Sequence, residues 1–212
     1  MTITTLDLIR HPESEMNFKF AHLIGGRSNH SPVTEKGYGQ VDKFARRFLI
    51  EKPVYAATYV SPAVRTSEMA RIVHEKTGAH PQMIVCDDVQ EIDQGDWEGK
   101  PRKDHHTPEV IARIIDMKGR HKAPNGESQF EVERRMVAFA ENCAAIHPGG
   151  RIAVYTHGLA IKCLLRFVQN WDPRKTYFTE IDNTSISTIS YHHGIDEWRL
   201  DRVNDRAHLT LF

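Results

Sequence analysis

The apolar positions of this chain change period as it proceeds. Thr4 to Ile9 reads as a strand, and Arg10 to Ser31 as a long, polar, Gly-containing loop. From Thr34 onward Val41, Phe44, Ala45, Phe48 and Leu49 recur at helical spacing, and Pro53 breaks that helix. Val54 to Val60 is short and β-rich, which predicts a buried strand. Ser61 and Pro62 then read as the N-cap and first position of a second helix, ended by Gly78. Met83 to Cys86 is another short strand. Ser128 and Glu131 form a capping-box pattern opening a helix that carries Val132, Met136, Phe139, Ala140 and Cys143, with a stop at residues 147–150. Ile152 to Thr156 reads as a strand and Leu159 to Val168 as a helix. Ser185 to Tyr191 and Trp198 to Val203 read as strands, and their short connection implies antiparallel pairing.

The order βαβαβ(α)αβαββ predicts an α/β protein. Its architecture is a three-layer α/β/α sandwich around a mostly parallel sheet with an antiparallel edge. A single domain over residues 1–212 is expected, with an insertion or lid at about residues 87–127. That stretch is punctuated by Gly95, Gly99, Pro101, Pro124 and Gly126, and carries a possible helix from Pro108 to Met117.

Lys+Arg and Asp+Glu are equal at 28 each, so neither nucleic acid nor membrane is an expected partner. Attraction for an anionic substrate must be local. Cys86, Cys143 and Cys163 lack metal-ligand spacing and lie in apolar runs, so they read as buried free thiols of a reducing compartment. Residues 1–5 carry no signal-peptide pattern and no apolar run approaches membrane-spanning length, which makes cytoplasm the expected location. The sequence carries no signature of oligomeric state.

Candidate chemistry sits at two strand ends. Arg10 and His11 close the first strand, and Thr156, His157 and Gly158 close a later one. Ligands of open α/β sheets bind at the carboxyl edge, so both histidines point at one crevice. Arginine beside histidine makes a phosphoryl group the natural guest, because the guanidinium fork matches phosphate oxygens and a neutral imidazole can attack phosphorus.

Five motifs follow one another along the chain: Arg10-His11 with Glu13-Ser14, residues 61–66 with Arg65, residues 91–99, Gly126-Glu127-Ser128, and Thr156-His157-Gly158. In this order the chain resembles the histidine phosphatase (phosphoglycerate mutase-like) superfamily. The resemblance implies that His11 is the nucleophile and forms a phosphohistidine. Such a histidine must be neutral, with its second N–H held by an acceptor, and a backbone carbonyl near the strand end suits that task. The resemblance gives Arg10 and Arg65 as the grip on the phosphoryl oxygens, Arg65 lying in the first turn of its helix. It gives His157 as a cation stabilising the transferring group, with Gly158 allowing close backbone approach. Glu91 aligns with the general acid, with Glu13, Asp93 and Glu98 as nearby competitors.

Asn17 is expected to contact phosphate, and Asn183 to orient His157 or Arg10. Trp97 is expected to pack. The family commonly has Gly where this chain has Pro12, which removes a backbone donor. The paired His105-His106 and His192-His193 read as poor metal chelates, and no metal or cofactor is expected. The basic residues of the insertion read as solvated surface, with a basic lid as the alternative.

The expected activity is that of a metal-independent phosphomonoesterase acting on a small phosphorylated metabolite. The alternatives are a phosphoglycerate mutase and a non-catalytic phosphoester-binding member of the family. Selectivity is expected to reside in residues 87–127 and in the loop from Phe18 to His30.

Overall fold

In the strand Ile3–Arg10 (β1), Leu6, Leu8 and Ile9 are all inaccessible to solvent, although alternate residues of a strand face opposite sides of a sheet. Leu6 and Leu8 belong to one apolar cluster and Ile9 to another. The central strand is therefore covered on both faces. The computed structural model describes residues 2–79 and 81–211. Its remaining strands are Ala57–Val60 (β2), Met83–Val85 (β3), Arg151–Thr156 (β4), Ile186–His192 (β5) and Glu197–Asp205 (β6).

The six strands lie in the order β3-β2-β4-β1-β5-β6. β1 runs parallel to β4, β4 to β2 and β2 to β3, while β5 is antiparallel to both β1 and β6. The expected α/β architecture is what forms. One layer is built from the helices Glu35–Glu51 (α1) and Val64–Thr77 (α2), whose Val41, Phe44, Phe48, Met69 and Val73 pack on Ile9, Ala153 and Tyr155 of the sheet. Between α2 and the next long helix come two short ones, Arg102–His105 (α3) and Pro108–Asp116 (α4). The opposite layer is built from Gln129–Ile146 (α5) and Gly158–Val168 (α6), with Met136, Phe139, Ile161 and Leu164 on Leu6, Leu8, Ile152 and Val154. A last turn, His208–Leu211 (α7), packs on α1 through His208, whose imidazole meets the Phe44 ring edge-on at 5.3 Å.

Met136 is fully buried at the centre of the second layer. Met136→Ala should cost about 2–5 kcal/mol, through lost transfer energy plus the cavity left behind. A urea titration at unchanged slope would show the loss as a lower midpoint, and an unshifted midpoint would mean that the layer closes over the gap.

Three local expectations are corrected. The strand expected from Val54 begins only at Ala57, because Val54 is 85% exposed on the approach to the sheet. α1 forms as expected, with Phe48 buried and Leu49, one residue on, half exposed. Ser61 is not the N-cap of α2. Ala63 stands at that position with no side-chain cap, and the Ser61 hydroxyl is bonded into the site instead. Of the three thiols, Cys143 and Cys163 are buried and Cys86 is only half-buried; all three are free.

Residues 87–127 are irregular as expected. They hold two single 3₁₀ turns, at Asp87–Val89 and Gly95–Trp97, together with α3 and α4. Gly95 pins the segment at φ +48°, where a Cβ would lie 2.1 Å from the Pro124 carbonyl oxygen, so only glycine fits.

Candidate active site

The β1–β4 ladder carries the two histidines to one place. The His11 amide donates to the Thr156 carbonyl at 3.1 Å, one step past the end of β1, and His157 heads α6 directly after β4. The rings stand 5.2 Å apart between centroids, and both residues are buried. From the other side of β1, the loop before β5 grips the same backbone. Asn183 Nδ2 donates to the His11 carbonyl at 3.0 Å, and the Thr184 amide reaches the carbonyls of Arg10 and His11. Asn183 thus holds the backbone of His11, not the side chains of His157 or Arg10 as expected.

His11 Nδ1 lies 2.7 Å from the Pro12 carbonyl oxygen. A carbonyl only accepts, so Nδ1 carries the proton and Nε2 keeps its lone pair. Pro12 withholds an N–H, yet its carbonyl is the acceptor a nucleophilic imidazole needs. Burial, then the charges of Arg65 and Arg10, push the His11 pKa well below the ordinary histidine value, against a smaller opposing effect of the Pro12 carbonyl.

His157 departs from expectation. Its Nδ1 is 2.9 Å from Arg65 Nη2 and its Nε2 is 2.7 Å from Ser61 Oγ. A guanidinium can only donate, so Nδ1 is an acceptor, Nε2 bears the hydrogen, and the ring is neutral. Burial, followed by the charge of Arg65, holds its pKa well below the ordinary value. The cation expected at this position is excluded here by a guanidinium against the very nitrogen that would take the proton.

Arg65 lies in the first turn of α2 and is buried. It donates to the Ser28 carbonyl at 2.8 Å and the Arg27 carbonyl at 2.9 Å, and burial lowers its pKa to about 10. Arg10 donates to the Ile181 carbonyl through Nη1, while its buried Nε has no partner. Desolvation lowers the Arg10 pKa as well. A Cβ on residue 158 would lie 3.3 Å from Arg10 Nε, so Gly158 makes room for this guanidinium at the start of α6.

Glu91 sits over the same helix start. Its carboxylate accepts from the amides of Leu159 at 3.1 Å and Ala160 at 3.2 Å, two of the free donors that open α6. It lines a cavity of about 550 Å³ together with Arg10, His11, Asn17 and Arg65. Its competitors are occupied elsewhere. Glu13 is bound to Lys36 and Thr34, Asp93 caps the Gly95 amide, and Glu98 holds the amides of Arg27 and Ser28. None of the three lines the cavity. Glu127 does, but Arg135 grips both its oxygens at 3.0 and 3.1 Å. Asn17 accepts from Ser14 through its amide oxygen, which leaves its NH₂ as the donor for a ligand. Trp97 both packs, stacked on His105 at 5.3 Å, and lines the cavity.

Sequence reasoning missed Ser61 as the partner of His157, and its signal was present, since Ser61 follows a strand end directly. It also missed Tyr177 and Phe178 of the cavity wall, signalled by two adjacent aromatics in a polar stretch. Among the described residues, no group of three or more His, Cys, Asp or Glu side chains is placed to hold a metal ion.

Three buried histidines make the fold acid-sensitive with a definite sign. His11 and His157 are held neutral, and burial lowers the His208 pKa to about 4. In the unfolded chain each imidazole takes its proton near 6.5. Below that value the unfolded state binds more protons than the native one, so stability present above about pH 6.5 is lost as the pH falls. His208 alone should account for about 3 kcal/mol by about pH 4. Urea midpoints measured between about pH 7.5 and 5 should fall steadily on the acid side; a flat profile would contradict the neutral assignments.

Two arginines, the neutral imidazole of His11 and a carboxylate held at a helix start line a cavity at the carboxyl edge of a parallel sheet, with the neutral imidazole of His157 bonded behind Arg65. The chain belongs to the histidine phosphatase superfamily (branch 1), whose family model matches residues 6–206, and this places it among enzymes that act on phosphoesters. It is 29% identical over 208 residues to the probable phosphoglycerate mutase GpmB of Proteus mirabilis (strain HI4320), covering 96% of this chain and 94% of that protein. Its fold matches Bacillus stearothermophilus YhfR with a TM-score of 0.81 at 26% identity, over 97% of this chain and 99% of the other. It also matches an Entamoeba histolytica phosphoserine phosphatase, solved in complex with 3-phosphoglyceric acid, with a TM-score of 0.82 at 22% identity over 97% and 99% of the two chains; at that identity the likeness is one of fold.

Proposed function

We propose that the chain is a metal-independent phosphomonoesterase that forms a phosphohistidine on His11. The observation that carries this reading is the 2.7 Å bond from His11 Nδ1 to the Pro12 carbonyl, which fixes the tautomer and leaves Nε2 as a nucleophile between Arg10 and Arg65. Nε2 attacks phosphorus and the P–O ester bond breaks. Glu91, protonated, gives its proton to the departing alkoxide. Glu91 then takes a proton from water as the water oxygen attacks phosphorus. The P–N bond breaks and neutral His11 returns. Arg10 and Arg65 carry the charge of the non-bridging oxygens, a task for which their forks are preorganised. His157, neutral, accepts from Arg65 through Nδ1 and so fixes that guanidinium beside His11.

The geometry favours catalysis over non-catalytic phosphoester binding, because Pro12 supplies the acceptor that positions the nucleophile. The names of the curated relatives favour a second reading, phosphoglycerate mutase, in which the phosphoryl group returns to a substrate hydroxyl. Free thiols support a reducing, cytoplasmic setting, and among the described residues no helix is long and apolar enough to cross a membrane.

The fate of the phosphoryl group decides between the two enzymes. Inorganic phosphate should accumulate at the rate at which substrate is lost, with EDTA present throughout. Interconversion of 3- and 2-phosphoglycerate without phosphate release would establish the mutase, and strict dependence on an added divalent cation would overturn the metal-independent mechanism.

A further inference from the structure

The guanidinium of Arg135, on α5, makes as many bonds as it has N–H groups. Nη1 donates to the carbonyls of Asp88 and Gln90, each at 2.7 Å, and Nη2 donates to the carbonyl of Glu91 at 3.1 Å. Nε and Nη2 hold the two carboxylate oxygens of Glu127 at 3.0 and 3.1 Å. The side chain is 14% exposed and does not line the cavity. Every donor is spent on the protein, so Arg135 has none left for a substrate.

The carbonyls it gathers belong to the short run of chain that ends on Glu91. Carbonyl oxygens of neighbouring residues repel one another, so they converge on a point only where a positive charge stands. The one carbonyl of that run which Arg135 leaves out, that of Val89, accepts from the Thr156 hydroxyl at 2.6 Å. Beyond Glu91 the clamp closes through Glu127, whose carboxylate accepts from the Asp93 amide at 3.0 Å. The backbone on both sides of Glu91 is thus moored to α5 and to the end of β4. The Glu91 carboxyl itself rests only on amides, chiefly those of Leu159 and Ala160. A group that must give and take a proton in each turnover needs its backbone held by something that does not titrate, and a guanidinium meets that condition.

We infer that Arg135 is a positioning residue for Glu91, aiming the proton donor at the leaving oxygen without touching the substrate. This rests on the reading of Glu91 as the general acid and adds what holds that acid in place. Lysine cannot take over the task, because an ammonium has three donors and no planar fork with which to meet three carbonyls and a carboxylate at once.

The test compares kcat/KM for butyl phosphate, whose alkoxide needs a proton, with that for p-nitrophenyl phosphate, whose phenolate does not. Arg135→Lys and Arg135→Gln should each lower the butyl-to-p-nitrophenyl ratio by on the order of 10–100-fold, the cost of misplacing a catalytic group by about 1 Å. Both substrates are read in one sample, so the folded fraction cancels from the ratio and a partly unfolded variant still reports. In a Glu91→Gln background Arg135→Lys should lower the ratio no further, because the group through which it acts is gone. A ratio lowered by Glu91→Gln but left at the parent value by both Arg135 variants would overturn this inference alone, as would a further drop in the Glu91→Gln background. A ratio unmoved by Glu91→Gln would remove the acid assignment and this inference with it. Failure of the unaltered protein to release phosphate from either compound would remove the esterase reading as well.

Discussion

His11→Ala should reduce phosphate release by at least about 10⁴-fold and leave the fold in place. The loss is that large because no neighbouring group can replace the nucleophile. His157 has both nitrogens engaged, Nδ1 by Arg65 and Nε2 by Ser61. Glu91 is held against the start of α6. The fold survives because the side-chain bond lost is a single contact to the adjacent Pro12, while the backbone of residue 11 keeps its ties to Thr156, Asn183 and Thr184. Rapid quenching of the unaltered enzyme should give an acid-labile phosphoenzyme, and mass spectrometry should assign the added phosphoryl to His11. Activity near that of the parent protein, or label on Ser61, would replace the mechanism.

Glu91→Gln should be the second largest effect, but only on substrates whose alkoxide needs a proton to depart. General acid catalysis contributes about 10²–10⁴-fold, so alkyl phosphates should slow by that factor. p-Nitrophenyl phosphate, whose phenolate leaves unaided, should slow far less in the phosphorylation step. The contrast between substrates separates chemistry from structure. Glutamine keeps one oxygen to accept from the α6 amides but sets an NH₂ against the other donor, and a disturbance of that kind would slow all substrates alike. Equal losses on both types would therefore reassign Glu91 to positioning and leave the acid unidentified, with Glu127 the other carboxylate on the cavity wall.

The catalytic edge was legible because its signals are local. Arg10 and His11 end a strand with an apolar interior, His157 ends another, and the placement of both follows from sheet topology alone. The capping box at Ser128 formed with both reciprocal bonds, since every partner lies within three residues. What was not legible depends on contacts between distant segments. Ser61 precedes a helix and carries a good capping hydroxyl, yet its oxygen lies against a ring 96 residues away. The charge of His157 was misread for a related reason: the family resemblance implies a cation, and only the position of Arg65 shows that the proton has nowhere to sit. Glu91 could be told from Glu13 and Glu98 only once their partners at Lys36, Arg27 and Ser28 were in view. The cavity wall was hidden because α4 and the Tyr177-Phe178 pair, which both line it, are separated by some sixty residues of unrelated structure, and neither segment alone indicates a cavity.

The grip of Asn183 and Thr184 on the tip of β1 bears on how the polypeptide acquires its activity while it is being made. The amide that holds the carbonyl of residue 11 belongs to a residue made 172 positions later. The hydroxyl of Thr184 is in turn bonded to His208. A nascent chain that has delivered β1 to β4 can already lay down much of the parallel sheet, yet it lacks the clasp that sets the nucleophile. Contacts of such long sequence separation are the slow ones to form. Translation thus lays down the parallel strands before it supplies the clasp, and products that end before Asn183 should be inert.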